Sequence, residues 1–471
     1  MEKPTIILAT SNGVGMGHLA RASAVALALK EVANPIIVSM AGGIAEVPAF
    51  MGIRCEYIPG KDRMWMSREK WDIYLRDRLL ALVEETGAKV LSFDGVVPYP
   101  GVIAAKNANP NLKLVWVRRG LWQKKPQRFI LGLQSKMMDR IIEPGDIARA
   151  YDFGPTANRK DSVLTAPVSL FRKEDALSRD DARRALGLDL NRPTALVQLG
   201  TGDSDVNEKM TAALSGLIGW KDLQVILTKA PVDKDGKSLV PEGLDLKVVR
   251  YFPLANVLHA FDAGICATGY NGVHELLPAQ VPTVFVSNIR GTDDQEARAK
   301  WCNDFGFALR ADQADLADIT EKVKMLQDPL VRKGLSDKCA ELPNTTGGQE
   351  IAAMLYQLAV EQKPARAKTF TFVRLMAQDH INRGLRHVAN LGLRRVALVY
   401  RFLNPHIKVQ EIDQAPPVFG DQIAAAELHP LIKSATRFEH MIQGASVNYR
   451  KRREEIAFAA YGKEMIVTKT K

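Results

Sequence analysis

A chain of 471 residues, 46% hydrophobic and 25% charged, is long enough to bury two or three cores and too apolar to stay unfolded. Its four cysteines, Cys55, Cys266, Cys302 and Cys339, are scattered through mostly apolar surroundings, which excludes a disulfide framework and a zinc pattern and points to a reducing compartment. The charge of +11 carries meaning only where it is localised, no stretch reaches the length of a membrane span, and no leader-type pattern occurs, so a cytoplasmic location is expected.

The pattern predicts a strand over Thr5 to Ala9, a glycine loop ending in Gly15-Met16-Gly17-His18, an Ala/Leu-rich helix to about Lys30 and a second strand near Ile36 to Ser39. A dinucleotide fingerprint is not met. The glycines stand two apart, His18 follows the last of them, and no acid closes the next strand. Two further strands, Lys89 to Phe93 and Leu112 to Val117, end in Asp94 and in Arg118-Arg119. The loops after the carboxyl ends of parallel strands line the ligand crevice, so Asp94 and Arg118 are candidate site residues. The plainer alternatives are that Asp94 caps a turn and that the two arginines form a solvated pair. The cluster around Met64, Trp65, Met66 and Trp71 is more often packing than a ligand platform. Histidine has the unperturbed pKa nearest neutrality, and a helix start disfavours its charged form. His18 is therefore a candidate general base with Asp94 as its helper, against the alternative that it caps the helix or holds a phosphate.

An extended apolar stretch near Leu164 to Val168 marks a domain boundary, followed by a charged helix over Arg179 to Leu186. Strands are predicted at Ala195 to Leu199, ending in Gly200-Thr201-Gly202, at Val225 to Thr228 before Lys229, and at Val248 to Phe252. The run from Gly264 to Val286 reads as one βαβ unit: a buried strand, a turn with Gly269 and Gly272, a helix ending before Pro278, and another buried strand. Glycines let the backbone approach a ligand, the helix start favours an anion, and Glu275 lies one turn further on. A phosphate beside a carboxylate that accepts from hydroxyls fits a nucleotide sugar; the simpler alternative is that Glu275 only complements the helix dipole. A helix from Gly347-Gly348 to about Ala359 is expected to close the second domain.

From about Pro364 the chain changes character. As far as Lys408, arginines and lysines are interleaved with apolar residues, and Asp379 is the only acid. A basic amphipathic helix pair is the simplest reading. It would lie on an anionic membrane surface, or else pack its apolar face on the domains before it. Nucleic acid ranks last and is not expected as a partner, because no binding motif accompanies the charge. Asp421 to Tyr461 reads as polar helix, with Arg450-Lys451-Arg452-Arg453 as a solvated face.

Gly269, Glu275, the Val281-Pro282 lead into a buried strand and Asp294-Gln295 before a new helix together resemble the donor block of the two-domain (GT-B) glycosyltransferases, nearest to the group of bacterial muropeptide-lipid N-acetylglucosaminyltransferases. The resemblance covers roughly the first three quarters of the chain. It implies two Rossmann-like domains facing a cleft: an acceptor domain at 1–165, a donor domain at 166–363, and a helical basic extension at 364–471. It implies donor binding by Gly200, Thr201, Gly202, the Phe252 backbone, Gly269, Asn271, Gly272, Glu275, Asp294 and Gln295, with Gly15, Gly17 and Arg118 on the acceptor side. Arg298 stands where the family often has Asn, and Gly272 where it often has Ser or Thr.

The expected function is transfer of a sugar from a nucleotide donor, a uridine diphosphate sugar above others, to a hydroxyl acceptor that can be lipid-linked. Inversion follows from the family likeness. No cofactor or metal is expected, because amides and a helix dipole can stabilise the leaving diphosphate, and Asp203-Ser204-Asp205 is therefore not read as a metal motif. A nucleotide-sugar 2-epimerase on the same fold, and a non-catalytic partner that binds a nucleotide sugar or docks to a membrane, are the rival readings.

Overall fold

The computed structural model of the protein describes residues 2–11, 17–40, 46–61, 68–123, 129–200, 206–228, 240–249, 251–288, 292–361, 368–377 and 381. They form two parallel sheets. The first contains β1 (Thr5–Thr10), β2 (Asn34–Ser39), β3 (Arg54–Tyr57), β4 (Val90–Asp94), β5 (Lys113–Val117), β6 (Arg140–Glu143) and β7 (Val163–Leu164), in the order β3-β2-β1-β4-β5-β6-β7. The second contains β8 (Thr194–Gln198), β9 (Gln224–Leu227), β10 (Asp245–Val248), β11 (Ala263–Ala267), β12 (Thr283–Val286) and β13 (Leu309–Ala311), in the order β10-β9-β8-β11-β12-β13. Central strands such as Ile6-Ile7-Leu8 and Val284-Phe285-Val286 are apolar at consecutive positions because helices cover both faces of each sheet.

The expected βαβ unit is present as β11, the helix Tyr270–Leu276 and β12, with β11 and β12 paired in parallel. One strand is displaced. The expected strand at 248–252 lies instead at Asp245–Val248, on the sheet edge, where it is largely solvent-exposed. An edge strand needs no continuous apolar run: of the residues that suggested a strand, Val248 ends β10, the Val249 amide pairs with the Leu227 carbonyl, and Tyr251 and Phe252 lie just before the 3-10 segment Leu254–Ala260.

A second difference concerns the helix Gly347–Val360, which lies against the helix Gly17–Leu29 of the first domain. Gly347 passes so close to the chain crossing between the domains that a Cβ there would stand 2.0 Å from the Ala166 carbonyl oxygen, and Lys113 Nζ donates to the carbonyls of Leu358 and Glu361 at 2.8 and 2.9 Å. The chain thus returns to the domain it left.

For the extension, the packing alternative holds over its described part. In the helical stretch 369–377, Leu375 is buried in the first-domain core with Phe372 and Met376 against it, and Lys368 Nζ donates to the Met138 carbonyl at 2.5 Å. Phe370, 76% exposed, and Val373 face outward. Residues 382–471 lie outside the described residues, as do Gly15, Met64 to Met66, Thr201, Gly202, Asp203 to Asp205 and Lys229.

Candidate active site

The carboxyl ends of the two sheets meet. From the first sheet, Asp94 closes β4 in register with Thr10 of β1, and the helix beginning at Gly17 presents His18 in its first turn. His18 Nδ1 lies 2.6 Å from Asp94 Oδ1, which leaves Nε2 as the nitrogen able to take a proton. Arg21, one turn further on, closes a fork on the same carboxylate: Nε to Oδ2 at 3.0 Å and Nη2 to Oδ1 at 2.5 Å. Burial pushes the His18 pKa down; Asp94 pulls it up, Arg21 and Arg119 push it further down, and the balance lies below the ordinary value. Burial alone would raise the Asp94 carboxyl, but the Arg21 guanidinium and His18 hold it below the usual carboxylate range. A neutral imidazole against an ionised carboxylate is a competent base.

From the second sheet, Gly269 precedes the helix Tyr270–Leu276 in an extended conformation, and no side chain caps that helix start. Among the described residues, a Cβ on Gly269 would meet open space, and one on Gly272 would stand at ordinary contact distance, 3.4 Å, from the Ala267 carbonyl oxygen. Asn271 Nδ2 donates to the Gly17 carbonyl at 3.0 Å, while Asn271 Oδ1 is buried with no partner among the described residues. Glu275 is half-buried and accepts from the Leu170 amide; burial pushes its carboxyl up to about 8. Gly200, at the end of β8, takes a left-handed φ of 85°, and the ring of Phe252 lies 6.4 Å from that of Phe50 across the cleft.

Three expected site residues are already engaged elsewhere. Arg118 is fully buried, with its guanidinium on Asp161 at 2.7 Å and Glu143 at 3.8 Å, so it does not face the cleft as an acceptor residue would. Asp294 caps the helix Gln295–Asp304 through the Ala297 amide. Gln295 Oε1 accepts from the Asn288 amide at 2.9 Å, and its Nε2 lies 3.4 Å from Asp293 Oδ2. What joins the two domains beside the cleft is a buried ionic cluster. Arg298, 0% exposed, donates to Asp146 Oδ2 at 2.8 Å from the first domain, to Asp293 Oδ1 at 3.0 Å, and to the Thr268 carbonyl at 2.7 Å. Arg119 adds a contact to Asp293 at 3.3 Å. Burial would raise Asp293, but Arg119 and Arg298 bring its carboxyl down to about 2.

His274 belongs to the same wall. Its Nδ1 faces the Tyr270 carbonyl at 2.6 Å and its Nε2 accepts from the Ile147 amide at 3.1 Å, which fixes a neutral ring that burial pushes down to about 4. Backbone pairing completes the wall: Gln123 N to Thr292 O at 2.8 Å and Asp294 N to Leu121 O at 3.0 Å. Arg119 and Asp146 both follow strand ends of the first sheet, so the rule that selected Asp94 and Arg118 could have found them. The choice between Arg118 and its neighbour had no local signal.

No family model matches the chain. It is 24% identical over 384 residues to the UDP-N-acetylglucosamine--N-acetylmuramyl-(pentapeptide) pyrophosphoryl-undecaprenol N-acetylglucosamine transferase of Rhodococcus opacus, covering 78% of this chain and 99% of that protein. To the transferase of the same name from Nocardioides sp. it is 27% identical over 248 residues, 51% of this chain and 63% of that protein. Among solved structures it resembles the glycotransferase of kitacinnamycin, with a TM-score of 0.52 and 16% identity over 76% of this chain and all of that one. It also resembles a putative UDP-N-acetylglucosamine 2-epimerase from Listeria monocytogenes, with a TM-score of 0.51 and 12% identity over 74% of this chain and 94% of that one. The architecture is the GT-B fold.

Proposed function

We propose that this GT-B glycosyltransferase moves N-acetylglucosamine from its uridine diphosphate donor to a hydroxyl of a lipid-linked acceptor, in a single inverting displacement. The sugar and acceptor are those in the names of the sequence relatives. The observation that carries the reading is the hydrogen bond from Asn271 to the Gly17 carbonyl, because it brings the start of the second-domain helix next to the residue that precedes His18. His18 Nε2 takes the acceptor proton, the acceptor oxygen bonds to the anomeric carbon, and the bond from that carbon to the diphosphate breaks. The leaving charge is met by the amides at the helix start after Gly269, and the step needs no metal. Incubation with UDP-N-acetylglucosamine and a prenyl-diphosphate muropeptide analogue should yield the disaccharide lipid and UDP. Epimerised sugar formed from the donor alone would overturn this in favour of a 2-epimerase.

Glu275 is assigned to the ribose hydroxyls. Glu275→Ala is expected to weaken UDP binding by roughly 1.5–3 kcal/mol, the worth of a charge-assisted hydrogen bond. Because burial pushes the carboxyl up to about 8, wild-type affinity should strengthen as pH rises from 7 to 9, and the variant should lose that trend. Equal affinities by calorimetry would make Glu275 a structural acid.

The extension is assigned to an anionic membrane surface, with Phe370, Val373 and Arg374 at its root. No helix among the described residues is long and apolar enough to cross a membrane. Truncation after Ile381 keeps Leu375 and its neighbours in place, so the shortened protein should stay folded and turn over a soluble acceptor analogue while failing to float with phosphatidylglycerol vesicles at low salt. Intact protein that ignores such vesicles would end this assignment.

A further inference from the structure

The fork from Arg21 has a role that neither the base nor its carboxylate accounts for. Asp94 Oδ1 receives two nitrogens, His18 Nδ1 at 2.6 Å and Arg21 Nη2 at 2.5 Å, and those nitrogens lie only 2.8 Å apart. A guanidinium nitrogen can only donate. If Nδ1 lacked its hydrogen, Arg21 could donate to it, but Nδ1 and Oδ1 would then be two acceptors in contact. With the hydrogen present, both N–H groups converge on the ionised Oδ1, whose attraction for each outweighs the donor–donor contact between the two nitrogens. That arrangement leaves the lone pair on Nε2.

We propose that Arg21 is a positioning residue, which fixes the Nδ1–H tautomer of His18 and, by holding a second positive charge on Asp94, keeps the ring neutral until the acceptor arrives. An imidazolium would stand beside the guanidinium with one carboxylate between two cations. This inference rests on His18 being the base; burial is the main cause that lowers the His18 pKa, and Arg21 adds to it against the pull of Asp94. The fork is itself fixed. Nε donates to Oδ2 at 3.0 Å, and the guanidinium lies 5.1 Å from the ring centroid of Tyr270, the first residue of the second-domain helix. Tyr270 is held in turn, its hydroxyl donating to the Gly145 carbonyl at 2.7 Å and accepting from the Val168 amide at 2.9 Å. The groups that act on His18 are Asp94 from β4, Arg21 from its own helix and Arg119 after β5, while Tyr270 and Asp293 of the second domain act on Arg21. Of the positive groups, Arg21 touches both members of the pair.

The test is a pH titration of the His18 ring nitrogens by NMR in full-length protein without substrate, together with the acid limb of kcat/KM. R21Q removes the charge that opposes Asp94, so the His18 pKa and the acid limb should both rise by about one unit. R21K keeps the charge without the fork; its acid limb should stay near that of the native protein while the ring nitrogen shifts report a mixture of tautomers. A purely structural Arg21 would lower turnover with the limb and the tautomer unmoved, and that result overturns the proposal. Should R21Q fail to fold, the R21K tautomer decides alone. If His18→Ala keeps its turnover, the base assignment falls, but the ring titration still judges Arg21 separately.

Discussion

Replacing His18 with alanine is expected to lower turnover by about 10²–10⁴-fold while leaving UDP affinity close to that of the native protein, as single-turnover kinetics and calorimetry would measure. An alcohol must lose its proton as it attacks the anomeric carbon, and a base contributes only in that transition state, so the loss falls on kcat. Asp94→Asn should reproduce part of the loss. An amide can turn its NH2 toward Nδ1, which would favour the Nε2–H tautomer and remove the lone pair from the reacting side. With the pKa of His18 below its usual value, the acid limb of the native rate should lie below pH 6.5, and activity should rise to a plateau above it. Loss mainly in donor affinity would instead make His18 a phosphate ligand.

The second large effect is expected at Arg298. Removing its guanidinium by Arg298→Met leaves Asp146 buried without its cation and Asp293 with Arg119 alone, a loss expected to cost roughly 3–5 kcal/mol of stability at pH 7. In the native protein Asp146 is held below its ordinary pKa, because Arg298 outweighs the effect of burial, so the pair stabilises above the unfolded value near 3.9 and loses that contribution as pH falls through the folded one. In the variant, burial without the cation raises the folded pKa above the unfolded one. The variant's defect should therefore be largest near neutrality and shrink toward pH 4, and Asp146→Asn added to Arg298→Met should recover part of it. Denaturant unfolding at pH 7 and pH 4.5 measures both. A defect that does not change with pH would mean that packing of the long side chain, not its charge, holds the domains together.

Arg298 also shows where sequence reading stops. As a departure from a family pattern it was visible, but its partner Asp146 lies 152 positions away, and nothing near either residue announces the pair. The same holds for the Gly347–Val360 helix. Its apolar periodicity and paired glycines predict the helix, yet the surface it covers belongs to residues 17–29, and only Gly347 passing over Ala166 decides that.

What the sequence by itself determined was local and periodic. Consecutive apolar runs require strands covered on both faces, glycines after those runs mark turns into helices, and alternation of the two makes parallel sheets whose carboxyl ends carry His18, Asp94, Gly200 and Gly269. Tertiary structure decided the direction of side chains at those ends. Arg118 turns into the first domain toward Asp161 while Arg119 turns to Asp293, although they are neighbours of one kind, because each charge settles where distant segments bring a buried carboxylate. Asp294 and Gln295 satisfy buried backbone groups for the same reason. A charge or amide removed from water must find its partner, and the partner's position is a property of the folded chain.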